Sequence, residues 1–166
     1  MSEKTLFLLK PDALQLSLRT LLAKIEFYKQ LKANDLSVLA TAKFVMTYDM
    51  LIGYQPVLDP NFKSEMTTDW KDMTLDYQLG KDRQGLEHLL VVVEGYDALA
   101  KGPTIKRHIR NKYCSPWDKY APGNLIHAPD DNEEYEKALY SFESVLKSKK
   151  AITDMEILYN TRRKND

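Results

Sequence analysis

Cysteine is nearly absent from this chain. Cys114 is the only one in 166 residues, which excludes an internal disulfide and suits a reducing compartment, so a cytoplasmic protein is expected. Excess charge is absent as well. The 24 Lys and Arg balance the 24 Asp and Glu, so bulk electrostatics call for neither a nucleic acid nor a membrane partner. No long apolar run exists; the longest clear one, Leu89 to Val93, is the size of a strand and far short of a membrane span. The start, MSEKTLFLLKPD, lacks the shape of a signal peptide because its apolar run is short and ends in a charge. There is no Gly-rich phosphate loop, no Walker motif, no metal-ligand Cys/His spacing, no internal repeat and no low-complexity segment. Even histidine is scarce, with three in the chain.

What is present reads as one domain. Thr5 to Leu9 is apolar and β-rich, a strand buried on both faces. Asp12 with Gln15 has the form of a capping box, and Leu14, Leu18, Leu21, Leu22, Ile25 and Tyr28 recur at helical spacing, predicting a helix with that stripe inward that ends near Asn34-Asp35. Leu36 to Met46 alternates as a half-exposed strand, with Val38, Ala40, Ala42, Phe44 and Met46 on one face. Met50, Leu51 and Tyr54 suit a short helix before Pro56, and Thr67 to Leu79 another with Trp70, Met73 and Tyr77 on one face. His88 to Gly95 is the clearest strand. A short helix, a Gly-Pro break and a basic segment follow, then a short strand at Asn124 to His127. Asp131 with Glu134 is a second capping box, opening a last helix that buries Tyr135, Leu139, Phe142 and Leu146. The order is that of a ferredoxin-like split βαβ fold: α+β, a four-stranded antiparallel sheet with helices packed on one face. Such a fold hosts many functions.

The chemistry therefore has to come from particular residues. His127 ends the apolar pair Leu125-Ile126 at the lip of an acidic turn, within APGNLIHAPDD. Lys10 closes the first strand, where position alone allows either a solvated lysine or a rigidly held charge aimed at a phosphate. Asn124 lies three residues before His127, yet residues at i and i+3 of a strand face opposite sides, so a shared site requires a bend between them. Lys101, Lys106, Arg107, His108, Arg110 and Lys112 form a basic cluster beside a Gly-Pro-Thr turn; such a cluster is usually a solvated face, and phosphate binding is the alternative.

Taken together, TLFLLKPDAL, VVVEGYDAL and NLIHAPDD with EEYEKAL resemble the first strand, the third strand and the active-site strand and helix of nucleoside diphosphate kinases. The resemblance covers most of the first 145 residues and sets the domain at 1–148, with 149–166 as a C-terminal extension. It implies a γ-phosphate transfer from a nucleoside triphosphate to a nucleoside diphosphate through a phosphohistidine at His127. It implies phosphate contacts from Lys10 and Asn124, Tyr54 near the histidine, Phe62 (or Trp70) stacked on the base, and Thr104 on a phosphate. Arg107 and Arg110 stand for the family's loop arginines, with Lys106 as a substitute. The resemblance also implies Asp130 near a Mg2+ that is held indirectly, through the nucleotide phosphates or water. A homo-oligomer is implied too.

The departures carry information. Pro129 and Ala138 stand where the family has a serine and the glutamate that orients the imidazole. The segment from Tyr54 to Gly95 is longer than in typical members, and that from Gly95 to His127 is shorter. Glu134, one helical turn before Ala138 on the same face, is the candidate orienting group. Two readings stay open: a working phosphotransferase, and a nucleotide-binding or scaffold protein of weakened turnover. A ferredoxin-like RNA binder is disfavoured, because neither RNP-type aromatic strands nor a basic balance is present.

Overall fold

The computed structural model describes residues 2–115 and 123–148; the expected extension, 149–166, lies outside them. In chain order the elements are β1 (Ser2–Leu9), α1 (Pro11–Leu14), α2 (Leu18–Ala33), β2 (Ser37–Val45), α3 (Tyr48–Tyr54), a 3-10 turn (Pro56–Leu58), α4 (Thr68–Leu79), β3 (Glu87–Tyr96), α5 (Ala98–Tyr113), β4 (Ile126–His127), α6 (Asn132–Ser141) and α7 (Glu143–Lys147). The strands form one four-stranded antiparallel sheet in the order β2-β3-β1-β4. The expected α+β sheet architecture is present.

The unbroken apolar character of β1 has a direct cause. Phe7 and Leu9 join Val91 and Val93 in one core with α2 and α5, while Leu6 and Leu8 join Leu90 and Val92 in a second core with α3, α4, α6 and α7. Helices thus cover both faces rather than one, so β1 and β3 have no solvent side and no alternation to show.

Four further expectations are corrected. The long helix starts at Ser17, whose hydroxyl and Thr20 cap each other reciprocally; Asp12 is not its cap, because its carboxylate is taken by Leu125 N. Its inward stripe is Thr20, Ala23, Phe27 and Leu31, whereas Leu18, Leu21, Leu22 and Ile25 remain 72%, 54%, 43% and 45% exposed. The helix carries two apolar stripes. The docked one offers a small residue, Ala23, for close approach, and Phe27, whose ring meets Phe7 edge-on at 4.9 Å. In β2 a bulge at Leu39 shifts the pairing between Val38 and Ala40, so Val38 packs on the α2 side and Ala40 on the other. Finally, α5 runs through Gly102-Pro103 without a break. Gly102 brings that helix down onto Thr5 and Ala128.

The turn into β3 requires its glycine. Gly85 has φ +100°, and a Cβ there would come within 2.3 Å of the Met46 carbonyl oxygen, where the chain turns back into β3 beside the end of β2.

The two stripes of α2 are separable by experiment. Phe27→Ala is expected to cost about 3–5 kcal/mol, and Leu21→Ala less than about 1 kcal/mol at concentrations where the chain is monomeric. Urea unfolding midpoints of the two variants test this; similar losses would place both stripes in the core.

Candidate active site

Strand β4 has two residues, paired as Leu8–His127 and Leu9–Ile126, so its position depends on what grips the backbone around it. Lys10 N donates to Leu125 O at 2.9 Å, and Leu125 N donates to Asp12 Oδ2 at 2.9 Å. From α5, Arg110 donates through Nε and Nη2 to Ile126 O at 2.9 and 2.6 Å. One helical turn earlier, Lys106 Nζ donates to Ala128 O at 2.9 Å and Asp130 Oδ1 at 2.7 Å.

The bend that the sequence demands between Asn124 and His127 is a γ-turn. Ile126 N bonds back to Asn124 O at 2.7 Å across Leu125, and Leu125 has φ +64°. This positive-φ form is rare and strained, with a cost of about 1–3 kcal/mol for a non-glycine residue. It breaks the strand alternation, so Asn124 faces Lys10, whose Nζ donates to Asn124 Oδ1 at 2.8 Å.

Lys10 is not a solvated lysine. It is 5% exposed, and burial, helped by the charge of Arg110 and opposed by Asp12, lowers its pKa to about 7. Burial likewise lowers the pKa of Lys106, with Asp130 opposing it, and that of Arg110. Three cations thus converge on the two ends of β4.

His127 is held by a carboxylate. Its Nε2 lies 3.0 Å from Glu134 Oε1, and its side chain is 12% exposed. A carboxylate only accepts, so Nε2 carries the proton and Nδ1 presents its lone pair. Burial, opposed by Glu134 and helped by Lys10 and Lys106, lowers the imidazole pKa to about 4; the ring is neutral at neutral pH. Burial raises the Glu134 pKa, but the His127 and Asp130 hydrogen bonds outweigh it and the net shift is downward. Tyr54, fully within the core, sets its ring edge-on to the imidazole at 5.2 Å and 87°.

The two duties of Glu134 are divided between its oxygens. Oε1 takes His127, and Oε2 accepts Asp130 N at 2.7 Å, the residue before the helix cap rather than the cap itself. Asp131 completes the cap by accepting Glu134 N at 2.8 Å. Ala138, fully buried, packs in the second core, and Pro129 is buried too.

The structure therefore brings together His127, Lys10, Asn124, Tyr54, Arg110 and Asp130, and adds Lys106 and Glu134. It does not bring in the others. Thr104 lies exposed in the middle of α5 rather than in a loop, because the helix continues past Pro103, and Arg107 is exposed on the same helix. Phe62 is half exposed in the turn before α4, its carbonyl fixed by Lys71 Nζ at 2.8 Å. Trp70 packs against the second core. Asp130 pairs with Lys106, and among the described residues no group of three His, Cys, Asp or Glu could hold a metal ion. Asp12 and Tyr77 have parts in the site that sequence reasoning missed. The Lys-Pro-Asp run places Asp12 beside Lys10, but nothing local shows that it reaches across to Leu125.

No family model matches the sequence, and no curated relative does. Solved structures match throughout. The nucleoside diphosphate kinase of Encephalitozoon cuniculi aligns with TM-score 0.58 and 19% identity over 95% of this chain and 99% of that one. The chain has the nucleoside diphosphate kinase fold. The Aquifex aeolicus nucleoside diphosphate kinase gives 0.59 and 20% over 92% of this chain and 100% of its own, and the Halobacterium salinarum enzyme, solved with CDP, gives 0.55 and 19% over 92% and 93%. Within this fold, no helix among the described residues is long and apolar enough to cross a membrane.

The acid response follows from the buried imidazoles. His88, enclosed between Leu86 O and Gln78, is held by burial to about 4, as is His127, against about 6.5 in an unfolded chain. Between those values the unfolded state binds protons that the folded state does not, so stability falls as pH drops from about 6.5 to about 4. His127→Asn should make that fall shallower in urea unfolding at pH 7, 5.5 and 4.5; an unchanged slope would mean that His127 titrates normally.

Proposed function

We propose that the protein transfers the γ-phosphate of a nucleoside triphosphate to a nucleoside diphosphate through a phosphohistidine at His127. The observation that carries this reading is the neutral imidazole with Nε2 fixed by Glu134, Nδ1 free, and Lys10, Lys106 and Arg110 around it. The Nδ1 lone pair attacks the γ-phosphorus, the bond to the β–γ bridging oxygen breaks, and the diphosphate leaves with that electron pair. A terminal oxygen of a second diphosphate then attacks the phosphohistidine and the P–N bond breaks, giving ping-pong kinetics. Phosphoryl transfer needs positioning and charge neutralisation above all, and both are what the cations and the clamped strand supply. In this reading Lys10, Asn124 and Arg110 contact the nucleotide phosphates and Tyr54 backs the imidazole, while Phe62, Thr104 and Arg107, which lie apart from this cluster, have no assigned contact. Asp130, an exposed carboxylate with one oxygen on Lys106, suits a Mg2+ that arrives on phosphates and keeps its waters; bound there, the ion would offset charge on the phosphates.

One observation favours the weakened reading. Arg110 and Lys106 spend donors on main-chain carbonyls, which leaves fewer for a substrate. Incubation with γ-labelled ATP decides. An acid-labile, base-stable label lost in His127→Asn supports the transferase, and an unlabelled parent supports the weakened protein. Glu134→Gln is expected to slow labelling roughly tenfold or more, the scale on which orienting partners act elsewhere. An amide has one acceptor oxygen, and two donors converge on residue 134. Ala138→Glu should add little. Labelling at the parent rate in Glu134→Gln would remove Glu134 from the mechanism.

A homo-oligomer belongs to the same proposal. The outward Leu18, Leu21, Leu22 and Ile25 of α2 form an apolar stripe suited to self-association, and β2 is an edge strand of the sheet. Leu18→Lys with Ile25→Lys should give monomers in sedimentation; a parent that is monomeric at micromolar concentration would overturn this part.

A further inference from the structure

His127 is aimed by a turn that its own strand cannot hold. Leu125 is a buried residue at φ +64°, in a form that β-strand hydrogen bonding does not support. Its N–H has one partner given by the geometry, the Asp12 carboxylate at 2.9 Å, and its carbonyl takes Lys10 N. The Lys-Pro-Asp corner thus grips both polar groups of the residue that turns the chain between Asn124 and His127. Asp12 is in turn fastened from the long middle segment. Its N–H donates to the Tyr77 hydroxyl of α4 at 3.1 Å. The same ring lies over Gly123, where a Cβ would come within 3.1 Å of it.

We propose that Asp12 is a positioning residue for His127, holding the γ-turn at Leu125 in the strained form that aims the imidazole, with Tyr77 as its support. The proposal rests on the phosphotransferase reading for its kinetic consequence, but not for its structural one. If Asp12 lets go, Leu125 relaxes to negative φ, the strand alternation returns, and Asn124 and His127 no longer share a site. The middle segment then has a part in the chemistry without touching substrate: α4 brings the hydroxyl that fixes the corner.

The test uses the full chain and four proteins: the parent, Asp12→Ala, Asp12→Asn and Tyr77→Phe. Three quantities are read, the single-turnover rate of label transfer from γ-labelled ATP, the 15N resonances of the His127 ring and the melting temperature. Asp12→Ala should slow labelling roughly tenfold or more, the size of effect that small misplacements produce, and should replace the single Nε2–H tautomer by a mixture. Asp12→Asn should recover both to within roughly threefold, because an amide oxygen still accepts from Leu125 N. Tyr77→Phe should slow labelling while its melting temperature stays near the parent's. Asp12→Ala with parental rate and parental ring spectrum overturns the proposal, as does an Asn variant as poor as Ala. Should Asp12→Ala fail to fold, Asp12→Asn with a mixed-tautomer spectrum overturns the role of this hydrogen bond, and Tyr77→Phe at the parental rate overturns the support. A parent that takes no label defeats the phosphotransferase reading alone, since the ring spectra still decide what Asp12 does.

Discussion

A strand of two residues contributes little sheet energy, yet the orientation of the imidazole is set by it. What keeps β4 in place is a set of grips on backbone groups between Leu125 and Ala128: Lys10 N and Asp12 on Leu125, Arg110 on the Ile126 carbonyl, and Lys106 on the Ala128 carbonyl. These come from β1, the corner after it, and α5, so the core that α2 and α5 share with β1 must be assembled before the grips can close. The strain at Leu125 persists because its surroundings over-determine it.

The same grips shape the electrostatics. Lys10, Lys106 and Arg110 are drawn out of water by burial, and the carboxylates near them are Asp12, Asp130 and Glu134, each already occupied by a hydrogen bond. Burial also removes the option of a protonated His127, so the cations surround a neutral ring. An anion entering such a space meets donors that are already oriented, which is where preorganised charge is most effective.

Much of this was legible in the sequence. Lys10 is readable as the end of a buried strand, His127 as the end of a short apolar run, and Glu134 as a helix neighbour of Ala138 that leans toward the N-terminus. The need for a bend between Asn124 and His127 is readable from strand parity, but its γ-turn is not, because it depends on Asp12 across the sheet. The inward stripe of α2 is not legible, because two stripes satisfy the helical period and the choice depends on the shape of the surface beneath. The bulge at Leu39 has no local signal such as Gly, so it left the alternation of β2 apparently intact. Gly102-Pro103 reads as a break, yet tertiary packing carries α5 through it, and with that Thr104 leaves the loop where a phosphate contact was expected.

The leucine stripe of α2 has a consequence for how the chain reaches this structure. While the helix is forming, two faces compete for the sheet, and the more hydrophobic of them ends in solvent. This is local frustration: the helix's greasiest side is at odds with its final docking. The Phe7–Phe27 contact is an interaction that only the correct face makes. A helix docked on its other stripe would misplace the corner between β1 and α2, and with it the segment that grips Leu125. Folding of the sheet and aiming of the histidine are in this sense a single event.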